Sequence, residues 1–395
     1  MQPFAINAAA PRFAIVEMFG GDNNLSPEIA IDLEEMRQGL PADALVIALT
    51  DHHDSEAKVM TVSGGQISEN EQWGEIDTGD PVVLERFLSR ALVSVPLATP
   101  IAIGFWDHGS GVFDENDPAA PGGARGLAPR GGRRRRLFWG KGAEGQAARA
   151  MLNDHTNGGL LTTLEAGKLL GRSIAASGRS KVAMIYSDTC LNGMVEVLAE
   201  FDAFASCVVG SPELEPFDGW GYSAWLEALG SGAVDGNRFA TTAVDAYRQT
   251  YDAQTGLYPC TLAGFSPSDA ILAAFAALVR EADLLGRPGF ADLDAARFGC
   301  QSFASKDSYD LIDFAVQLQA NARVQSLRDA AAGLAQAVIT ARIGNCALGA
   351  DVVASGGLAF WFPSSRTEWL LTSATYADLR FERLTGWARY LGKQF

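Results

Sequence analysis

Two stretches of the chain, residues 101–106 and 182–186, are apolar at every position rather than at alternate positions. A strand that is covered on both faces has this pattern, which is typical of parallel sheets flanked by helices. Further strands are predicted over residues 13–19, 44–50, 59–62 and 203–209. The pattern therefore predicts a sheet whose central strands are buried.

Amphipathic segments separate these strands. Ser26 and Asp80, each followed by a proline, predict the starts of two helices. Further helices are expected over residues 164–174 and 191–201. Strands that alternate with helices in this way indicate parallel βαβ units, and hence an α/β fold.

The second half of the chain is predicted to be mostly helical. The expected helices cover residues 220–229, 236–252, 267–285, 308–320, 324–342 and 375–391. One late strand, residues 357–362, interrupts them and could join the first sheet or begin its own. We therefore expect an α/β core over residues 1–235 and a largely helical portion over residues 236–395 that packs on it.

Composition and charge narrow the class of protein. Of 395 residues, 48% are hydrophobic, so the chain can bury a large core and is not predicted to be disordered. The formal net charge of -16 argues against nucleic-acid binding and favours a cationic ligand.

Cysteine usage and the N-terminal residues bear on the compartment. The five cysteines are scattered, with no CxxC pair, which argues against both a disulfide framework and a zinc site. The first residues lack the basic and apolar segments of a signal peptide, and no segment is apolar enough to span a membrane. We expect a cytoplasmic protein with reduced thiols and no membrane partner.

One segment departs from the acidic background. Residues 118–149 carry a net charge of +7, whereas the rest of the chain carries -23, and the segment is rich in glycine. This composition predicts an exposed flexible loop between the strands at 101–106 and 182–186.

The two apolar strands each deliver a reactive side chain. His108 follows the first strand and Cys190 follows the second. Because chemistry gathers beyond the carboxyl ends of parallel strands, we expect both side chains at one edge of the sheet, as a thiol nucleophile and its base require. A helix starting directly after Cys190 would stabilise its thiolate. The glycine after His108 would allow close approach of a substrate, and the Gly109 amide could point at an oxyanion.

Simpler explanations exist for each residue taken alone. Cys190 could be a buried cysteine with a purely structural role. We assign that role to the other four cysteines, Cys207, Cys260, Cys300 and Cys346. His108 fits a strand-end histidine that forms a turn hydrogen bond. His52 and His53 lie near Asp51 and Asp54, but their spacing matches no established metal site, so a solvated loop is expected there.

Two carboxylates are candidates for a cation pocket. Asp188 lies two residues before Cys190 and points to the same face of the strand end. Asp218 follows the next strand along the chain. If the two meet, they would select arginine or lysine through charge-assisted hydrogen bonds. The alternative for Asp218 is an N-cap of the helix that starts near Trp220.

Taken together, these motifs resemble the clostripain family of cysteine peptidases, in the caspase-like clan. The motifs run along nearly the whole chain. They cover residues 21–25, 79–81, 108–111, 188–196, 215–220, 309–315 and 357–363.

The resemblance implies a fold and roles for individual residues. The fold would be a caspase-like α/β/α sandwich with a mostly parallel central sheet. Cys190 would be the nucleophile and His108 the acid and base, with the Gly109 and Cys190 amides binding the oxyanion. Asp188 and Asp218 would line the pocket for arginine or lysine on the acyl side of the scissile bond.

Family members are often zymogens that are cut between the histidine and the cysteine, and some depend on calcium. The candidate processing sites here are Arg125, Arg130, Arg133, Arg134, Arg135 and Arg136. The alternatives for this segment are a solvated loop and a nucleic-acid-binding patch.

We therefore predict a cysteine endopeptidase that cleaves after arginine or lysine, with protein or peptide substrates and no nucleic-acid partner. An activating protease or an inhibitor would be its regulatory partners. The alternatives are a catalytically silent module that binds basic peptides and a different thiol acyltransferase, such as a transpeptidase. No cofactor is required by the sequence itself; calcium enters only through the family resemblance.

Overall fold

The computed structural model describes residues 2–6, 10–112, 151–252, 259–305 and 307–395. Within them the chain forms a central sheet of nine strands and two small sheets of two strands each. The strands are β1 (Ala14–Gly21), β2 (Leu45–His52), β3 (Ser55–Ser63), β4 (Gln66–Gly74), β5 (Ile101–Trp106), β6 (Leu152–Asn153), β7 (Leu160–Leu161), β8 (Val182–Asp188), β9 (Ala205–Gly210), β10 (Cys260–Phe265), β11 (Ser308–Asp310), β12 (Arg342–Leu348) and β13 (Ala359–Trp361).

Helices cover both faces of the central sheet. In chain order they are α1 (Glu28–Gly39), α2 (Pro81–Ser94), α3 (Thr163–Ala176), α4 (Val195–Phe201), α5 (Tyr222–Ala228), α6 (Gly236–Asp252), α7 (Asp269–Leu285), α8 (Arg287–Gly299), α9 (Leu311–Asn321), α10 (Gln325–Ala341), α11 (Arg366–Tyr376), α12 (Arg380–Thr385) and α13 (Trp387–Gln394). As expected, Asp80 caps α2 by accepting a hydrogen bond from the Val82 amide at 2.8 Å.

The middle of the nine-stranded sheet is parallel. Its strand order is β12-β10-β9-β8-β5-β1-β2-β3-β4, and neighbouring strands from β9 to β2 run in the same direction. The strands at either edge are antiparallel. All residues of β1 and β5 are buried, which explains why their sequences do not alternate. The predicted α/β sandwich with a mostly parallel central sheet is confirmed.

Two apolar cores lie on opposite faces of this sheet. One contains the buried side chains of α2, α3 and α4, and the C-terminal helices add to it. The other contains those of α1, α5 and α6. The sheet is therefore the middle layer of three, and its strand ends are held between the helices of both outer layers.

The C-terminal part adds both helices and strands. The predicted late strand is β13, which pairs with β11 in a sheet of its own. The sequence patterns missed β4, β10 and β12, which extend the central sheet at its two edges. β12 is an edge strand with polar residues such as Arg342 and Asn345, so it lacks the apolar signal of a buried strand. The expected division near residue 235 stays a prediction.

Some expected helix boundaries are wrong. The helix expected over residues 191–201 begins only at Val195. The last segment holds α11, α12 and α13 rather than one helix over residues 375–391, because Gly386 has a positive φ of 70° that ends α12. None of the helices in the described residues combines the length and apolar character that crossing a membrane would need.

Candidate active site

His108 and Cys190 follow adjacent strands of the parallel sheet. In the register of β5 and β8, Trp106 is paired with Asp188, so His108 and Cys190 each lie two residues beyond a paired position. The loops that follow are packed together. A Cβ atom on Gly109 would lie only 2.4 Å from the Cys190 carbonyl oxygen. The structure therefore places both residues at the carboxyl edge of the sheet, in contacting loops.

Cys190 lies in a tight, non-helical turn. Its side chain is buried, and its Sγ accepts a hydrogen bond from the Glu215 amide at 3.3 Å. The next residue, Leu191, has a φ of +62°, and the Gly193 amide bonds to the Ser211 carbonyl at 2.8 Å. The expected stabilisation of the thiolate by a helix N-terminus is therefore wrong, because neighbouring loops hold this segment out of the helix.

His108 is partly buried and is held by an asparagine. Its Nε2 lies 2.8 Å from the Asn24 side-chain oxygen. Because an amide oxygen only accepts, Nε2 carries the proton, and Nδ1 of the neutral ring carries the lone pair. Burial, with a smaller effect of the neighbouring His155, lowers the pKa of His108 to about 4. The ring is thus neutral near neutral pH, the form whose lone pair can accept a proton from a neighbouring acid.

A buried carboxyl group ties together the chain segments around His108. Asp107 accepts hydrogen bonds from the Asn23 side-chain amide at 2.8 Å and from the His108 amide. Its other oxygen accepts from the Asn153 amide. Burial raises the pKa of Asp107 well above its usual range. Asp107 and Asn23 therefore fix the base of the histidine loop, and sequence reasoning had assigned neither of them a role.

Gly109 occupies a position that no side chain could share. An added Cβ would also lie 2.6 Å from Nδ2 of Asn192 and 2.8 Å from Cβ of Thr189. Close packing against the cysteine loop therefore requires glycine here. The binding of an oxyanion by the Gly109 and Cys190 amides stays a prediction.

A pair of buried carboxyl groups lies beside Cys190. Asp188 and Glu215 are both fully buried, and their carboxyls form a hydrogen bond with each other when one is protonated. Asp188 also accepts hydrogen bonds from the Tyr222 hydroxyl at 2.8 Å and the Trp220 amide at 3.3 Å. Apart from the proton shared by the pair, one oxygen of each carboxyl, Oδ1 of Asp188 and Oε2 of Glu215, has no hydrogen-bond donor within the described residues.

Burial governs the ionisation of this pair. It raises the pKa of Asp188 to about 6 and that of Glu215 well above its usual range. The pair thus shares a proton and carries roughly a single negative charge near neutral pH. Sequence reasoning treated Glu215 only as part of a motif; the proline after it gives no sign that its carboxyl turns toward Asp188.

Helix α1 adds further carboxyl groups near Asp188 and Glu215, and we call this set of residues the acidic region. Glu28, Asp32 and Glu35 lie at helical spacings of four and three, on one face. Burial, followed by the charge of Asp188, raises the pKa of Asp32. Burial and then the charge of Asp218 raise the pKa of Glu28, so Asp218 is close to this helix.

Asp218 itself is exposed and lies at the outside of the acidic region. The helix after it begins at Tyr222 with Gly221 as its cap, so the N-cap alternative for Asp218 is wrong. Asp218 is linked to the buried pair through the next residue, because a Cβ on Gly219 would lie 3.1 Å from an Asp188 oxygen.

Comparison with known proteins identifies the family. The model of the clostripain family matches residues 18–125 and 138–315. The chain belongs to the clostripain family. A search of curated proteins found no match.

Solved structures of clostripain-family proteases share the fold. An inactive zymogen C11 protease from Parabacteroides distasonis is 14% identical with a TM-score of 0.70, over 96% of this chain and 99% of that one. A secreted C11 cysteine protease from Bacteroides thetaiotaomicron, in complex with an irreversible peptide inhibitor, is 16% identical with a TM-score of 0.66, over 95% and 99%. The protein is thus a clostripain-family cysteine peptidase with the caspase-like fold.

The other cysteines of this clostripain-family chain suit packing roles. Burial raises the pKa of both Cys207 and Cys300 to about 12 and that of Cys346 to about 11. Thiols with such pKa values remain protonated and are poor nucleophiles at neutral pH.

The C-terminal family motifs have structural roles in the described residues. Glu196 of α4 accepts hydrogen bonds from the Trp361 amide at 2.9 Å and the Tyr376 hydroxyl at 2.7 Å. Asp310 caps α9 through the amides of Ile312 and Asp313. Glu196 thus attaches β13 and α11 to α4, the helix that follows the cysteine loop. The arginine-rich segment at 118–149 lies outside the described residues.

Proposed function

We propose that this peptidase cleaves peptide bonds after arginine or lysine, with Cys190 as the nucleophile and His108 as the acid and base. Nδ1 of neutral His108 takes the thiol proton, and the sulfur attacks the peptide carbonyl carbon. His108 then gives that proton to the leaving amine as the carbon–nitrogen bond breaks. Water, deprotonated by His108, releases the acyl group from sulfur.

The oxyanion formed in these steps needs nearby donors. We assign this role to the Gly109 and Cys190 amides, because the loops that carry them are in contact beside the thiol. Backbone amides that are fixed before the reaction stabilise developing charge without reorganisation.

The buried carboxyl pair carries the proposal for specificity. P1 is the residue whose carbonyl is attacked. We expect its side chain to reach Asp188 and Glu215, because Asp188 lies two residues before Cys190 and the Glu215 amide donates to the Cys190 sulfur. Their oxygens without donors would accept hydrogen bonds from a guanidinium or ammonium group. Asp218, Glu28 and Glu35 would add to the attraction as the substrate enters.

A comparison of fluorogenic peptides that differ only at P1 tests this specificity. Arginyl and lysyl peptides should be hydrolysed, while glutamyl and leucyl peptides should not. Asp188→Asn should lower kcat/KM for arginyl peptides. The corresponding loss of transition-state stabilisation should be on the order of 1.5–3 kcal/mol, as for the loss of one charge-assisted contact. A preference of the wild type for acidic or apolar P1 residues would contradict the proposed pocket.

We also propose that the protein is made as a zymogen and activated by a cut in the arginine-rich segment. Arg133, Arg134, Arg135 and Arg136 are the first candidates, followed by Arg125 and Arg130. These side chains suit the pocket proposed for P1. The pairing of β5 with β8 would hold the two fragments together after the cut. One of the structures with the same fold is of a zymogen.

Replacing all six arginines with glutamine tests the activation proposal. The wild type should convert to a two-chain form and gain activity, while the variant should stay intact. The single variant Cys190→Ala, with all six arginines kept, distinguishes self-cleavage from cleavage by another protease. It should stay intact if the wild type cuts itself and should still be cut if another protease does so. If the uncut wild type is fully active and the variant matches it, the segment is no activation site. The cytoplasmic location stays a prediction.

A further inference from the structure

Two aromatic residues each donate a hydrogen bond to the buried carboxyl pair from the same side of the chain. The Tyr222 hydroxyl donates to Oδ2 of Asp188 at 2.8 Å, and the Trp220 amide donates to the same oxygen at 3.3 Å. The Trp220 indole nitrogen donates to Oε1 of Glu215 at 3.3 Å. Each carboxyl group is therefore fixed through one oxygen. Apart from the proton that the pair shares, the other two oxygens have no donor within the described residues.

Trp220 and Tyr222 are themselves fixed by packing. Both side chains are buried. The Trp220 ring stacks on Tyr186, with 5.0 Å between the ring centroids and 29° between the planes, and it meets Trp225 edge-on at 5.6 Å. The Tyr222 ring also packs against Trp225, at 6.1 Å. Because these rings are held in place, the hydrogen bonds that they donate orient the two carboxyl groups.

The proton shared by the pair marks the place where a P1 cation would bind. Two buried carboxyl groups in contact ionise together only at high cost, so they hold one proton between them. A guanidinium or ammonium group brings several N–H donors and a positive charge, which allows both carboxyl groups to ionise. The displaced proton would leave to solvent, and the oxygens that held it would accept from the cation instead.

We propose that Tyr222 and Trp220 are positioning residues for P1: they fix Oδ2 of Asp188 and Oε1 of Glu215, so that the remaining oxygens can exchange their proton for the P1 cation. This inference rests on the proposed specificity for arginine or lysine. Neither residue needs to touch the substrate, because both act through the carboxyl groups. Rotation about the last torsion of a carboxylic side chain is otherwise broad, so free carboxyl groups would not keep these oxygens in place.

The groups around Asp188 determine what loss of the Tyr222 hydroxyl should do. Burial raises the pKa of Asp188 to about 6, whereas hydrogen bonds from Glu215, Tyr222 and the Trp220 amide lower it. The other titratable groups that interact with Asp188 are Glu17 of β1, Tyr186 of β8, and Asp32 and Glu35 of α1. Negative charge on any of these raises the pKa of Asp188 further. Removing the hydroxyl should therefore raise this pKa.

Tyr222→Phe removes the hydroxyl and keeps the ring. KM for an arginyl peptide should rise by roughly tenfold at about pH 7, with kcat nearly unchanged. The further rise of KM on acidification should begin at a higher pH than in the wild type, because the pKa of Asp188 is higher. Adding Tyr222→Phe to Asp188→Asn should change KM little, since the hydroxyl acts through Asp188.

Tyr376→Phe is the matched control. The Tyr376 hydroxyl also donates to a buried carboxyl group, that of Glu196 at 2.7 Å, away from the carboxyl pair. This variant should lose stability as Tyr222→Phe does, yet keep the wild-type KM and its pH profile. A wild-type KM and pH profile in Tyr222→Phe, or equal changes in both variants, would overturn the positioning role.

A second measurement needs no substrate and separates this inference from the proposed specificity. In Cys190→Ala, the unfolding free energy should fall as pH rises up to the folded pKa of Asp188, and adding Tyr222→Phe should extend this fall to higher pH. If the extension appears but the wild type does not prefer basic P1 residues, the proposed specificity is wrong while the contact of Tyr222 with Asp188 stands. If the fall ends at the same pH with and without the hydroxyl, the inference itself is wrong.

Discussion

The carboxyl groups of Asp188 and Glu215 meet in the protein interior, and the backbone amide of Glu215 donates a hydrogen bond to the sulfur atom of Cys190. Both groups are fully buried, and apart from the proton that they share, each has an oxygen with no donor in the described residues. Two buried acids in contact destabilise a fold unless they share a proton or a cation joins them. We infer that this cost is retained because the side chain of a basic P1 residue supplies the cation.

The first prediction concerns the pH dependence of substrate binding. Because the pKa of Asp188 is raised to about 6, acidification through that pH neutralises the pair and removes its attraction for a cation. KM for an arginyl peptide should rise below about pH 6, while kcat changes less. Peptides with citrulline, which is neutral and similar in shape, give the control: their KM should not follow this titration. Parallel pH profiles for the two peptides would contradict a charge-based pocket.

Glu215→Gln tests the residue that we add to the proposed pocket from its contact with Asp188. The amide has nearly the same shape but cannot ionise, so the pair could not give up its shared proton when a guanidinium binds. We expect kcat/KM for arginyl peptides to fall by about tenfold to a hundredfold. Glu213→Gln is the matched control, because Glu213 is also buried but its carboxyl accepts from the Leu214 and Ala304 amides instead. Equal losses in both variants would show that the effect is structural.

Stability should respond to Asp188 in the opposite sense to activity. A carboxyl whose pKa is raised by folding binds more protons in the folded state than in the unfolded one. The unfolding free energy therefore falls as pH rises through the folded pKa, here about 6. Asp188→Asn should stabilise the protein at about pH 8 by up to about 3 kcal/mol, and the gain should shrink toward about pH 5. Chemical denaturation at several pH values measures this; a gain that does not vary with pH would contradict the assignment.

Asn24 is expected to act as a positioning residue for His108. Asn24→Ala should lower kcat by roughly tenfold to a hundredfold with little change in KM, because the ring loses its fixed tautomer and orientation. Asn24→Asp should restore part of the rate and raise the pKa of His108, which NMR of the ring can follow. Asn321→Ala, at another exposed asparagine, is the control. An unchanged kcat in Asn24→Ala would remove this role.

The parts of the fold that could be predicted are those with a strong local signal. Residues 101–106 and 182–186 are apolar throughout, and a strand buried on both faces needs that composition. Helix α2 carries its own start signal in Asp80 and the proline after it. Edge strands such as β4 and β12 face solvent and neighbouring chain segments, so their mixed composition gave no such signal.

The site could be predicted only where one motif supplies both position and chemistry. His108 and Cys190 each follow a strand directly, so their location at one sheet edge needs only the strand order. The contact of Glu215 with Asp188 and that of Asn24 with His108 join segments far apart in the chain. The turn at Leu191 likewise depends on packing against Glu213 and Ser211, whereas the local sequence favours a helix.

The most direct measurement is intact-protein mass spectrometry after reaction with a peptidyl acyloxymethyl ketone that ends in arginine, used on the processed protein. We expect a single adduct, mapped to Cys190 by fragmentation, and none in Cys190→Ala or with the same reagent ending in glutamate. Such a result would identify Cys190 as the nucleophile and show that the site prefers a basic P1 residue. Labelling of another cysteine, equal labelling by the glutamyl reagent, or no labelling at all would contradict the proposed site.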